Sequence, residues 1–211
     1  MGYTHYWRRE PEIPQKTFDA ICRDTKKIID ACNDAGIRIR NGHGENEPII
    51  TADLISFNGD SNCGHERRDL GITWPSPNAS GADADGETDG EWFAGALLAT
   101  RTCGGDCAHE TAHLPRAFKP DEWQESDNNG LYFEFCKTAF KPYDLAVTAW
   151  LIICKHHLGD AIQVSSDGED KDWFDAKMFC DKILGYGIGY SIEPEAGTLE
   201  PRRCVRESPC N

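Results

Sequence analysis

No stretch of this 211-residue chain holds the roughly 18 consecutive apolar residues that a membrane-spanning helix needs. Its first ten residues, Met1-Gly-Tyr-Thr-His-Tyr-Trp-Arg-Arg-Glu10, carry charge where a secretory leader would carry an apolar run. The expectation is a soluble, cytoplasmic protein with no membrane partner. Positive charge is scarce: 22 Lys and Arg face 36 Asp and Glu, leaving a net charge of -14. That balance excludes a function resting on neutralising the phosphates of a long nucleic acid, because such affinity comes from Lys and Arg displacing counterions. A fixed-period repeat is also lacking, which excludes solenoids and propellers.

What is present suffices for one core. Hydrophobic residues make up 39% of the chain, and its length suits a single domain over residues 1–211 carrying a long insertion. Ten cysteines need a place in a reducing compartment. Cys22, Cys32, Cys136, Cys154 and Cys180 fall in apolar periodic segments, where a thiol packs as a small hydrophobe. Cys63, Cys103, Cys107, Cys204 and Cys210 lie among Gly, Asp and Pro and are the candidates for chemistry.

Periodicity places the elements. Tyr3, His5 and Trp7 alternate with Thr4 and Tyr6, which predicts a first strand with His5 and Trp7 on one face. Phe18, Ile21, Cys22, Thr25, Ile28, Ile29 and Cys32 recur at helical steps up to Gly36, predicting an amphipathic helix. Residues 37–40 read as a short strand and 49–57 as a longer one that breaks at Asn58-Gly59-Asp60. Residues 61–130, rich in Gly, Asp, Ser and Pro, read as a loop-rich insertion, within which residues 91–100 are apolar enough for a strand or short helix. Residues 131–137 alternate Leu131, Phe133 and Phe135 against Tyr132, Glu134 and Cys136, a strand with one apolar face. Residues 145–158 are apolar nearly all round and predict a buried central helix capped by Gly159. A strand at 161–165, a helix at 173–184, a short strand at 189–192 and an irregular tail over 194–211 complete the chain. This order predicts an α+β fold: a two-layer sandwich with a mixed sheet of about five strands and two to three helices.

Six segments together resemble a family of small microbial, viral and fungal proteins that begin Met-Gly-Tyr-Thr-His-Tyr-Trp. They are Met1-Gly-Tyr-Thr-His-Tyr-Trp7, Phe57-Asn-Gly-Asp60, His109-Glu-Thr111, Phe133-Glu-Phe-Cys-Lys-Thr138, Lys141-Pro-Tyr-Asp144 and Ser165-Ser-Asp-Gly168. The family is uncharacterised, so the resemblance implies a fold unit and no activity. It also implies an extended, aromatic-rich continuation after His109-Glu110-Thr111, with no second histidine required at His113.

Three constellations could carry chemistry. His109-Glu-Thr-Ala-His113 matches the zinc pattern in which two histidines at i and i+4 share a helix face and Glu110 activates a metal-bound water. Gly104-Gly105 and Pro115 leave little room for that helix. A second reading starts from an echo, Cys63-Gly-His65-Glu66 and Cys107-Ala-His109-Glu110. There Cys63, His65, Cys103, Cys107 and His109 supply preferred zinc ligands on loops, against the plainer alternative of a Cys103–Cys107 disulfide or free thiols. The third is a set of polar and aromatic residues at predicted strand ends and helix starts: His5, Trp7, Asn58, Asp60, Lys137, Lys141, Asp144, Ser166 and Asp167. Converging ends form pockets. Lys137 and Lys141 could hold an anionic group, and His5 and His109 add acid-base capacity. Asp144 as a helix cap and Ser166 with Asp167 as a turn are the structural alternatives. His156 and His157 close the central helix, where a cation suits the dipole.

These observations predict a small-molecule binding protein, with an anionic or nucleotide-like ligand and a Cys/His-stapled insertion. The alternatives are a zinc-dependent hydrolase using His109 and Glu110, or a structural or interaction protein. Zinc is the one cofactor the residues imply.

Overall fold

A computed structural model describes residues 3–63, 70–72, 92–93, 96–97, 101–103 and 106–202, apart from the side chains of 70–72, 92–93, 96–97 and 102–103. The aromatic alternation near the start forms β1 (Thr4–Arg9), with His5, Trp7 and Arg9 all buried. Pro14 precedes α1 (Gln15–Asp34), whose buried face is the expected stripe from Phe18 to Cys32. Gly36 takes a φ of +86° just beyond its end, a left-handed turn that glycine adopts without steric cost.

After β2 (Ile39–Arg40), the single strand expected over 49–57 is in fact two, β3 (Ile49–Ile50) and β4 (Leu54–Gly59), paired as an antiparallel hairpin. The Thr51 hydroxyl decides this: it accepts hydrogen bonds from the amides of Asp53 (3.3 Å) and Leu54 (3.1 Å), closing a turn inside the apolar run. At its other end β4 runs through Asn58 and Gly59, which pair with β2 where a break was expected.

The insertion holds strands both in the 91–100 stretch, where a strand or short helix was expected, and outside it. Its described residues contain β5 (Leu70–Ile72), β6 (Trp92–Phe93), β7 (Ala96–Leu97), β8 (Arg101–Cys103) and β9 (Ala112–Pro115). β5 pairs with β8 and β6 with β7, while β9 pairs with β4 and buries Ala112 and Leu114. Residues 61–130 therefore supply part of the core.

β10 (Tyr132–Lys137) pairs with β1, and so does β11 (Ile162–Ser166), giving the order β10-β1-β11. The apolar face of β10 points the unexpected way: Phe133 is 40% and Phe135 53% exposed. Its inward face offers Glu134, whose Oε2 accepts from buried Arg9 Nε at 2.8 Å and from Trp7 Nε1 at 3.3 Å. A buried guanidinium needs a carboxylate, and that requirement outweighs the aromatic alternation in setting the register.

α2 (Asp144–Leu158) is buried on nearly every side, as its composition predicts. Trp150 sits edge-on to Trp7 of β1 (5.3 Å) and Phe57 of β4 (5.8 Å), so one ring joins the two groups of strands. A 3-10 turn leads into α3 (Phe174–Leu184), and both α1 and α3 pack on α2. The tail, expected to be irregular beyond Pro194, forms β13 (Leu199–Pro201) against β12 (Tyr190–Ile192).

The fold is α+β. All strand pairings among the described residues are antiparallel and fall into several small sheets, where one mixed sheet was expected. No helix among the described residues is long and apolar enough to cross a membrane.

Candidate functional site

The segments singled out by sequence meet at one end of β1. The amides of Thr138 and Ala139 both donate to the carbonyl of Tyr3 (2.9 and 3.1 Å), and the Thr4 amide donates to Asp167 (3.0 Å). This stitching brings the start of β1, the β10-to-α2 connection and the end of β11 together. In that connection Ala139 and Phe140 take φ of 52° and 54°, a left-handed pair with no glycine. Such strain persists only where surrounding contacts over-determine it, and it concentrates at working sites. Phe140 is held between the Tyr3 ring (4.8 Å, edge-on) and the Arg101 guanidinium (5.4 Å).

His5 lies at the centre, fully buried. Its Nε2 is 2.7 Å from Asp144 Oδ1 and its Nδ1 is 3.0 Å from Ser166 Oγ. Asp144 Oδ1 also accepts from the Thr138 hydroxyl (2.6 Å), and Oδ2 accepts from Arg101 Nε (3.0 Å). Burial alone would raise the Asp144 carboxyl; the charges of Arg101 and His5 and the bonds from His5 and Thr138 hold it down at about 2. An ionised carboxylate only accepts, so Nε2 of His5 carries a hydrogen. In the neutral ring Nδ1 is then the lone pair that faces the Ser166 hydroxyl.

Arg101 extends this network inward. Its terminal nitrogens bind both oxygens of Asp175, which also accepts from the Ala176 amide (2.7 Å). Burial raises the Asp175 carboxyl, and Arg101 opposes that rise. Two buried carboxylates thus share one guanidinium, with His5 as the remaining group able to add positive charge.

Ser166 is the member that reaches outward. Its Oγ accepts the Gly168 amide (2.9 Å), and it opens on a cleft of about 410 Å³. Asp167, Glu169, Asp170, Lys171 and Glu193 also line this cleft. Over the turn lies the Tyr3 ring, so close that a Cβ on Gly168 would fall 2.0 Å from its hydroxyl oxygen. Burial raises the Tyr3 phenol, and among the described residues its hydroxyl has no partner at hydrogen-bonding geometry.

Of the third set of candidates, His5, Asp144, Ser166 and Asp167 come together here. The rest do not. Trp7 is core. The Asn58 carboxamide accepts the His109 amide (3.0 Å) and donates to the carbonyls of His109 (2.9 Å) and Gly42 (3.2 Å), clamping the loop. Asp60 pairs with Arg38 and Arg40. Lys141 Nζ bonds Asp106 and the Ala108 carbonyl, so its charge is already engaged. The Lys137 peptide is bound on both sides by Glu110, its amide donating to Glu110 Oε2 (2.7 Å) and its carbonyl accepting the Glu110 amide (3.2 Å).

The His-Glu-x-x-His spacing makes no zinc helix. Residues 109–111 are not helical, and His113 lies in β9 opposite Ser56, exposed. The Glu110 carboxylate serves the Lys137 amide, and His109 Nδ1 is 2.8 Å from the Lys137 carbonyl. The echo places Cys63 and Cys107 side by side in a small buried cluster of their own. His65 and the Cys103 side chain lie outside the described residues, as do Cys204 and Cys210. Among the described residues no three His, Cys, Asp or Glu side chains gather as a metal site.

Arg101, Thr138 and Asp175 escaped the sequence reading. Arg101 sits in the Gly-rich insertion with no periodicity around it, and Asp175 looks like any acidic residue near a helix start. Only Thr138, six residues before Asp144, carried a local hint. No family model matches this chain, and comparison with curated proteins and with solved structures gives no match either.

Proposed function

We propose that this chain is a small-molecule binding protein whose ligand enters the cleft at Ser166. The carrying observation is that Ser166 lines that cleft while its hydroxyl stands 3.0 Å from a buried histidine, itself 2.7 Å from a buried carboxylate. Ser166 offers the ligand one oriented hydroxyl, His5 a proton donor or acceptor behind it, and Asp144 the group that orients His5. The lining favours a neutral or cationic ligand over the anionic one expected from the lysines, because Asp167, Glu169 and Glu193 line the cleft beside Lys171 and an Asp170 already paired with Lys177 and Arg202, and Lys141 is engaged elsewhere.

Thermal unfolding with a panel of amines, polyols and nucleotides tests this. A ligand at about 100 times its Kd stabilises by about 2.7 kcal/mol, which for a domain of this size is roughly 5–10 °C. Amines or polyols should raise the midpoint, and Ser166→Ala should abolish the shift, even though it lowers the unliganded midpoint by leaving His5 Nδ1 and the Gly168 amide without that partner, a loss of about 1–3 kcal/mol. No shift with any compound, or an undiminished shift in Ser166→Ala, would sink the reading.

One observation favours a second reading for the insertion. Cys63 and Cys107 are buried against each other, and the Cys107 amide donates to the Asp60 carbonyl (2.9 Å), fastening the loop onto the end of β4. This supports the Cys/His staple, with zinc as its metal and His65 or Cys103 completing the ligand set. Elemental analysis of protein expressed with added zinc decides it; protein free of zinc removes the metal staple. The five core cysteines, Cys22, Cys32, Cys136, Cys154 and Cys180, carry buried thiols, which supports a cytoplasmic location.

A further inference from the structure

Five large apolar side chains are exposed among the described residues, and three of them, Trp123, Phe133 and Phe135, line one groove. The groove has a volume of about 490 Å³, and Phe118 and Tyr132 complete its aromatic lining. It lies apart from the Ser166 cleft and shares no lining residue with it. The register of β10 creates it: Glu134 turns inward to meet Arg9, so its neighbours Phe133 and Phe135 must face out. Trp123, 76% exposed, lines the same groove.

Exposure of this kind is costly and calls for an occupant. Charge identifies its chemistry. The segment carrying Trp123 reads Asp121-Glu-Trp-Gln-Glu-Ser-Asp127, four carboxylates in seven residues, and Glu125 lines the groove itself; Glu134 lines it too, but its charge is taken up by Arg9. The rings here already attract cations. Arg8 lies over Phe133 at 5.0 Å and Arg9 over Phe118 at 5.1 Å, the latter with its charge met by Glu134. A ring face attracts a cation through its quadrupole, and weakly hydrated alkylated ammonium groups gain most because they lose little water on entering.

We infer that this groove is a binding site for an alkylated ammonium group, with Trp123, Tyr132 and Phe135 providing ring faces and Glu125 the counter-charge.

The experiment titrates the full chain with choline and with 3,3-dimethylbutanol, its uncharged isostere, by isothermal titration calorimetry. Saturable binding of choline is expected, with binding of the isostere weaker by roughly tenfold or more, the size of a partly desolvated cation–π contact. Trp123→Ala and Phe135→Ala should each weaken choline binding by a similar factor without lowering the unfolding midpoint, since both side chains are exposed. Glu125→Gln should weaken choline and leave the isostere unchanged. Equal binding of the two compounds would overturn the assignment in favour of a plain apolar groove. Dimerisation abolished by Trp123→Ala, seen by sedimentation, would overturn it in favour of a second copy of the chain. Neither result depends on Ser166.

Discussion

Arg101 donates through Nε to Asp144 Oδ2 at 3.0 Å, and the rest of the same guanidinium binds Asp175. One residue of the insertion therefore ties the first residue of α2 to the start of α3. All three side chains are essentially sealed from solvent. Removing one partner leaves uncompensated charge in the core.

Arg101→Leu strands two buried carboxylates and should cost about 3–5 kcal/mol. Arg101→Lys keeps the charge but cannot serve both carboxylates with a fork, and should fall between. Urea denaturation of the two variants checks this order. A loss below about 1 kcal/mol in Arg101→Leu would mean that the insertion does not hold these helices together.

Acid should loosen the same network. The Asp144 carboxyl titrates at about 2 when folded, against 3.8 ordinarily, so its contribution is fully present above about pH 4 and is lost as pH falls towards 2. That difference corresponds to roughly 2 kcal/mol. Asp175 acts oppositely: its folded carboxyl is raised, so its contribution is present at low pH and lost as pH rises through the folded value. In Asp144→Asn, urea midpoints measured from pH 2 to 5 should start lower and slope less. A slope equal to that of wild type would place the acid sensitivity elsewhere.

Gly168 and Tyr3 should behave as a coupled pair. A methyl group at Gly168 would fall 2.0 Å from the Tyr3 hydroxyl, so Gly168→Ala forces the ring aside and should cost about 1–3 kcal/mol. Among the described residues that hydroxyl has no hydrogen-bond partner, so Tyr3→Phe should be nearly neutral alone. Combined with Gly168→Ala it should recover part of the loss. Additive losses in the double-mutant cycle would refute the contact.

Glu110 should prove structural. Its carboxylate accepts the Lys137 amide at 2.7 Å, and Glu110→Ala leaves that amide without its partner, a loss of about 1–3 kcal/mol. Glu110→Gln retains an acceptor and should cost less. Any zinc content should be unchanged in both variants. A glutamine variant that folds like wild type but loses a hydrolytic activity would restore Glu110 as a general base.

Much of this molecule is legible in one dimension. The stripe from Phe18 to Cys32 and the apolar run to Leu158 specify helices because helical period and hydrophobic burial act on neighbours in sequence. The alternation of Tyr3, His5 and Trp7 specifies a strand for the same reason. The same reading singled out His5, Asp144 and Ser166, because polar side chains at element ends are visible as breaks in apolar patterns. What it could not decide was partnership. Whether Phe133 or Glu134 faces inward depends on Arg9, whose charge arrives from another strand. Whether residues 61–130 are loop or core depends on β9 finding β4 and on Arg101 finding two carboxylates. Those contacts join residues 43 to 125 positions apart, and no local period records them. The sequence alone determined the helices, the first strand and the polar ends. Tertiary structure alone decided which of those ends meet, because hydrogen bonds and ion pairs between distant residues are selected by the whole packing and not by any segment's own propensity.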